Sequence, residues 1–153
     1  MEQHEFKMVH YLSHTVKDLI ERKEEGLLGV ECAAHYWGYS TFPNDLAIFL
    51  LEDNTKTNDG DFIEAGMSYL IVPNVNTNNI VRLTDKLFIT DREQTICDLV
   101  RYNRSECYTY EAVKDAVLST DFNIYRLRDL AESYNVLDRL NQIIEEALAD
   151  DEL

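Results

Sequence analysis

Proline occurs twice in the 153 residues, glycine five times and cysteine three times. So little proline and glycine excludes collagen-like and low-complexity linker sequence, and five scattered glycines form no glycine-rich loop to cradle a nucleotide. The cysteines Cys32, Cys97 and Cys107 are odd in number and irregularly spaced, which fits a reducing compartment better than a cross-linked secreted scaffold. No apolar run approaches the roughly 20 residues that cross a bilayer, and the opening Met-Glu-Gln-His-Glu has neither the basic nor the apolar region of a signal peptide. Positive charge is scarce too: 14 Lys plus Arg stand against 29 Asp plus Glu, for a net charge of -15. A field of that sign repels phosphate backbones and anionic membranes, so it argues against nonspecific DNA binding. The expectation is a soluble, cytoplasmic protein.

Hydrophobic residues make up 45% of the chain and charged residues 28%, a globular balance rather than that of a disordered chain. A chain of this length buries roughly 70% of its unfolded surface, enough for one core without a disulfide or structural metal. Over 5–25 the apolar residues Phe6, Val9, Leu12, Val16, Leu19 and Ile20 recur every three or four positions, which predicts an N-terminal helix closed by Gly26 and Gly29. One or two helical turns are expected over 31–37, with Gly38 at the C-cap. The runs 46–51, 68–72, 79–83 and 86–89 read as four strands, with Thr84-Asp85 as a tight turn and the polar stretch 52–61 as a loop.

After Thr90 the apolar period changes to about 3.6, predicting helices near 91–103, 109–119, 124–134 and 136–149. Thr90 with Glu93 has the spacing of a capping box, and Asp91 adds favourable charge at that helix start. The resulting architecture is α+β in a single domain over 1–153: an N-terminal helix to 26, mostly strands over 27–90, helices over 91–150 and an acidic tail.

Catalytic constellations are missing from this pattern. There is no Gly-x-Ser-x-Gly elbow, and His35 has no identifiable Ser or Cys partner. Cys32 and Cys97 lie among apolar residues and read as small core side chains. His10 and His14 share a helical face, but Tyr11 stands where a zinc protease needs its Glu, and no third ligand is evident. In the stretch from Asp53 to Gly60, Thr55 and Thr57 occupy positions where a calcium loop needs oxygen ligands, so turn chemistry explains it better. No enzyme activity, cofactor or metal is expected.

Two stretches carry a resemblance. The first is Gly29-Val30-Glu31-Cys32-Ala33-Ala34-His35-Tyr36-Trp37-Gly38-Tyr39-Ser40, followed by Pro43 and the strand 46–51. The second is Leu87-Phe88-Ile89-Thr90-Asp91-Arg92-Glu93-Gln94-Thr95-Ile96-Cys97-Asp98-Leu99-Val100-Arg101. Together they resemble AbiEi-type antitoxins, whose strand-to-helix motif has a Thr or Ser, then Glu, a basic residue, Thr, an apolar pair and Asp-Leu. The resemblance covers roughly 26–150. It implies the antitoxin half of a bacterial abortive-infection (type IV toxin/antitoxin) system, linked functionally to a nucleotidyltransferase-like toxin that it counters without needing to bind. It also implies repression of the cognate operon. Such antitoxins begin with a winged-helix domain, for which the roughly 25 residues ahead of the first motif leave no room, and Gln94 stands at their usual basic position. The resemblance therefore carries the fold further than it carries repression.

Partner-contacting candidates come from two places. At about 100° per residue, Ile96, Leu99 and Val100 face one way, while Asp91, Thr95, Asp98 and Tyr102 fall together on the opposite face, a stripe that is either solvated or packed against the helices from 109 onward with Asp98 bonding a local donor, or else an outward partner contact. From Asp138 onward the chain holds six carboxylates against one Arg, crowded at Glu145, Glu146, Asp150, Asp151 and Glu152. Carboxylates on a rigid helix can approximate the spacing of DNA phosphates. The alternative expectation is thus an acidic phage or mobile-element inhibitor that occupies the basic groove of a nucleic-acid enzyme.

Overall fold

In a computed structural model of the chain, residues 16–43, 46–55, 60–64 and 67–151 are described. Their elements in order are α1 (Val16–Glu21), β1 (Gly26–Leu28), α2 (Val30–Tyr36), β2 (Ile48–Glu52), β3 (Gly60–Glu64), β4 (Met67–Val72), β5 (Ile80–Arg82), β6 (Leu87–Thr90), α3 (Arg92–Arg101), α4 (Glu106–Val117), α5 (Ile124–Ser133) and α6 (Leu137–Asp151). The protein is α+β, with strands in its first part and helices after Thr90. No helix among the described residues is long and apolar enough to cross a membrane.

The six strands form one mixed sheet in the order β3-β4-β2-β1-β6-β5. Central β1 runs parallel to β6, pairing Leu27 with Phe88 and Leu28 with Ile89, and antiparallel to β2 through Leu28 and Phe49. The four expected strands are present, and β1 and β3 join them as a correction. β1 is too short and glycine-rich to show alternation, and β3 begins with Gly60-Asp61, which reads as turn chemistry. The turn at Thr84-Asp85 is as expected: β5 and β6 pair antiparallel, and Thr84 Oγ1 accepts from the amides of Lys86 and Leu87.

Gly26 begins β1 instead of closing the first helix. α1 is closed by Lys23, which takes the left-handed conformation (φ 58°) while the Lys23 and Glu24 amides return to the carbonyls of Ile20 and Leu19. Residues 5–15 of the expected helix lie outside the described residues. Gly38 terminates α2 as expected, with φ 85° and a matching pair of returning bonds from the Gly38 and Tyr39 amides.

The helices pack around α3, which contacts α2, α4, α5 and α6. α2 touches β2 and β6, joining the helical layer to the sheet. On α6 the spacing of Leu140, Ile144 and Ala147 gives one buried stripe; α3, surrounded, is buried continuously from Glu93 to Val100. The capping residue of α3 is Asp91, whose carboxylate accepts from the Gln94 amide at 2.9 Å. The expected Thr90–Glu93 capping box is therefore not formed: the cap lies one residue later, the Glu93 carboxylate turns to Arg126, and the Asp91 amide donates to the Asn79 carbonyl. Thr90 remains in the strand, where its carbonyl accepts from the Trp37 indole (2.9 Å) and the Thr95 hydroxyl (3.1 Å), and its own hydroxyl sits 2.6 Å from Thr95 Oγ1.

Candidate functional site

Three polar clusters grow from the β6–α3 junction. At its start, Asp91 and Glu93 share Arg126 of α5: Arg126 Nη2 donates to Asp91 at 2.8 Å and Nη1 to Glu93. Beyond the end of α3, Arg104 forks onto Glu31 of α2, with Nε 2.6 Å and Nη2 2.9 Å from the two carboxylate oxygens. Between them lies the Asp98 cluster. Gln94 Nε2 donates to Asp98 Oδ1 at 2.8 Å, and Gln94 Oε1 accepts from Asn79 Nδ2 at 2.9 Å. Arg101 approaches Asp98 at 3.5 Å, with its guanidinium over the Tyr134 ring at 4.0 Å and the Tyr102 ring at 4.7 Å. Burial raises the Asp98 pKa to about 7, against the opposing pull of Arg101 and the Gln94 hydrogen bond.

These positions give the α3 stripe its packed reading, with Asp98 bonded to the local donor Gln94, and correct the outward one. Thr95 is fully buried, Asp98 is 2% exposed and Tyr102 8% exposed; Asp91 alone keeps intermediate exposure. A helix with one polar face normally turns that face to water, but here α5 and the 73–79 segment cover it. Its polar atoms are satisfied by protein groups instead. Glu145 and Glu146 are exposed on α6, in keeping with an acidic surface, and do not join the α3 clusters. The side chains of Asp150, Asp151 and Glu152 lie outside the described residues.

Sequence reasoning missed Glu31, Asn79, Arg101, Arg104, Arg126 and Tyr134. The i,i+4 spacing of Gln94 with Asp98 and the i,i+3 spacing of Asp98 with Arg101 were the legible signals. Nothing local connects Glu31 with Arg104, which are 73 positions apart.

Elsewhere, burial pushes the Cys32 and Cys97 thiols up to about 12, far from thiolate chemistry at neutral pH. The Asp53 carboxylate accepts from the Thr55 amide at 3.0 Å and the Thr55 hydroxyl at 2.6 Å, a local turn. His10, His14 and residues 56–59 lie outside the described residues, among which no group of three His, Cys, Asp or Glu side chains could hold a metal. A largely apolar cleft of about 510 Å³ opens between α1, α2 and the approach to β2, with Leu19, Leu28 and Ala47 among its lining residues. A more polar cleft of about 240 Å³ separates α4 from α6, where Arg139, Gln142 and Glu146 face Glu106 and Tyr110. No protein-family model matches the chain, and no curated protein matches it.

Proposed function

We propose that this protein is a nonenzymatic, antitoxin-like regulator that acts in the cytoplasm through protein contacts, within a bacterial toxin/antitoxin or phage-defence setting. The observation that carries this reading is the β6–α3 junction. The stretch resembling the AbiEi motif runs from strand to helix at Asp91, with the motif's Thr95, Asp98 and Leu99 buried at the centre of the helical layer. The motif residues thus serve as scaffold, and contact falls to the outer helices.

Charge favours a protein over a nucleic acid as the contact. Arg101, Arg104 and Arg126 are each engaged with buried or half-buried carboxylates, while Glu132, Asp138, Glu145 and Glu146 stand exposed on α5 and α6. The exposed pair on α6 also favours the second reading, an inhibitor seated in the basic groove of a nucleic-acid enzyme.

Coexpression with a nucleotidyltransferase-like toxin encoded beside it should relieve growth arrest, with Glu145→Gln and Glu146→Gln testing the α6 surface. Failure of the wild-type protein to rescue growth, at verified expression, would remove the antitoxin assignment. An operator-length duplex should give no anisotropy change at physiological salt, since a net charge of -15 removes the counterion-release contribution. Submicromolar binding would restore the repressor reading. For the inhibitor reading, duplex DNA should compete with the protein for the enzyme, and association should slow as salt rises.

A further inference from the structure

The cleft bounded by α1, α2 and the approach to β2 gathers apolar surface that the rest of the fold leaves uncovered. Of the eight large hydrophobic side chains that stand exposed among the described residues, three line it: Ile20 of α1, Tyr36 of α2 and Leu46 ahead of β2. Leu19, Leu28 and Ala47 add a buried apolar lining. Single exposed apolar residues are ordinary on a protein surface. Three converging on one concave, largely apolar site of about 510 Å³ mark a place where something binds.

Residues 1–15 lead directly to the edge of this cleft, because Val16, where α1 begins, is one of its lining residues. Their sequence has the pattern an occupant needs. Phe6, Val9 and Leu12 recur at every third position, which at about 100° per residue gathers them on one side of a helix and places Lys7 on the other. An amphipathic segment with anchors at such spacing is what an apolar groove between helices accepts. Thr15 and Asp18 have the spacing of a capping box at the start of α1, so a helix can begin at Val16 and the chain can turn ahead of it. Tethering favours the contact further, since a segment joined to the cleft meets it at an effective concentration on the order of millimolar. A second copy of the chain is opposed by the net charge of -15 that both molecules carry.

We propose that the segment 1–15 is the occupant of this cleft within the same molecule. It folds across the opening and sets Val9 and Leu12 against Tyr36 and Leu46, on the walls that α1 does not supply. A straight continuation of α1 past Val16 would leave those two side chains bare. The contact also supports α1, whose six residues bury only Leu19 and whose length is marginal for a helix without packing. Ordering the segment offsets much of what its burial gains, so the strap is reversible, and the cleft it vacates is an apolar groove for another amphipathic helix. This assignment stands apart from the antitoxin reading and survives its failure.

The test is methyl NMR on the full chain with labelled Ile, Leu and Val. Cross-peaks from the Val9 and Leu12 methyls to the Leu46 methyls and the Tyr36 ring should be present. Leu46 is the decisive reporter, because contacts to Val16 or Ile20 would also arise from a simply continued helix. A sample mixing labelled and unlabelled chains should show no such cross-peaks between molecules. Phe6→Asp with Leu12→Asp should abolish the Val9–Leu46 cross-peaks and shift the Leu46 methyls, while the methyls of Leu140, buried far along the chain in α6, stay in place. Lys7→Asp, which adds the same negative charge on the other side of the segment, should leave the Val9–Leu46 cross-peaks intact. The proposal is overturned by wild-type protein that lacks cross-peaks to Leu46, by cross-peaks that arise only between molecules, by a Val9–Leu46 contact that persists in the double variant, or by its equal loss in Lys7→Asp. If the double variant fails to fold, which the Leu140 signals report, the wild-type spectrum and the mixed sample decide the matter.

Discussion

Asp91 and Thr90 are neighbours with different work. Asp91→Ala removes both the cap of α3 and a partner of Arg126, and should lower stability by about 1–2 kcal/mol in urea denaturation. Asp91→Asn, which still accepts from the Gln94 amide, should lose less. Thr90→Ala leaves the cap intact, so any loss there reports the Thr90–Thr95 hydroxyl pair together with the buried methyl group. Asp98 should show itself in the dependence of stability on pH. Its folded pKa of about 7 lies above the ordinary 3.8, so between these values the folded protein holds a proton that the unfolded chain has released. Stability due to this group therefore rises as pH falls from above about 7 toward about 4, and the cost of burying the ionised form is fully present above that range. Relative to wild type, Asp98→Asn should lack that slope, which is at most about 1.4 kcal/mol per pH unit. Parallel curves for the two proteins from about pH 5 to about pH 8 would contradict the raised value.

Glycine positions separate the demands made by the elements. At Gly26, φ is 138° and an added Cβ would fall 2.8 Å from Phe49 Cδ1, whose ring is stacked on Tyr69 in the adjoining strand β4. At Gly38, φ is 85° but an added Cβ would meet nothing within 4 Å. Gly26→Ala should therefore cost roughly 2–3 kcal/mol and Gly38→Ala about 1 kcal/mol, measured by thermal or urea unfolding. Equal losses at the two sites would show that backbone conformation, not the approach of Phe49, sets the cost. The same contrast between local and distant demands explains what was legible in the sequence. α5 and α6 were readable because Leu127 with Ala131, and Leu140 with Ile144 and Ala147, recur at helical spacing on one buried face. β1 was not, because three residues beginning with glycine hold no alternation and depend on partners far along the chain. α3 was placed correctly along the chain, but its spacing alone left its polar stripe open between packed and outward: Thr95 and Asp98 look like a wet face until Asn79, Tyr134 and the packed helices are brought to them.

At the scale of the molecule, the net charge of -15 opposes compaction through self-repulsion. Raising salt from about 0.01 M to about 0.15 M shortens the screening length from about 30 Å to about 8 Å and should raise the urea midpoint. A midpoint that falls over this range would mean that the paired arginines, which salt also screens, outweigh the surface repulsion. The sheet order also bears on how the chain is made. β1 lies between β2 and β6, and Glu31, just after it, waits for Arg104. On a ribosome, β2 and β4 emerge before β6 and the helices that follow. Until the later segment leaves the exit tunnel, β1 has one bare edge and Glu31 has no guanidinium to meet. The first half of a nascent chain is therefore an unfinished template, vulnerable to pairing with a neighbouring nascent chain, and its folding is completed by the half synthesised last.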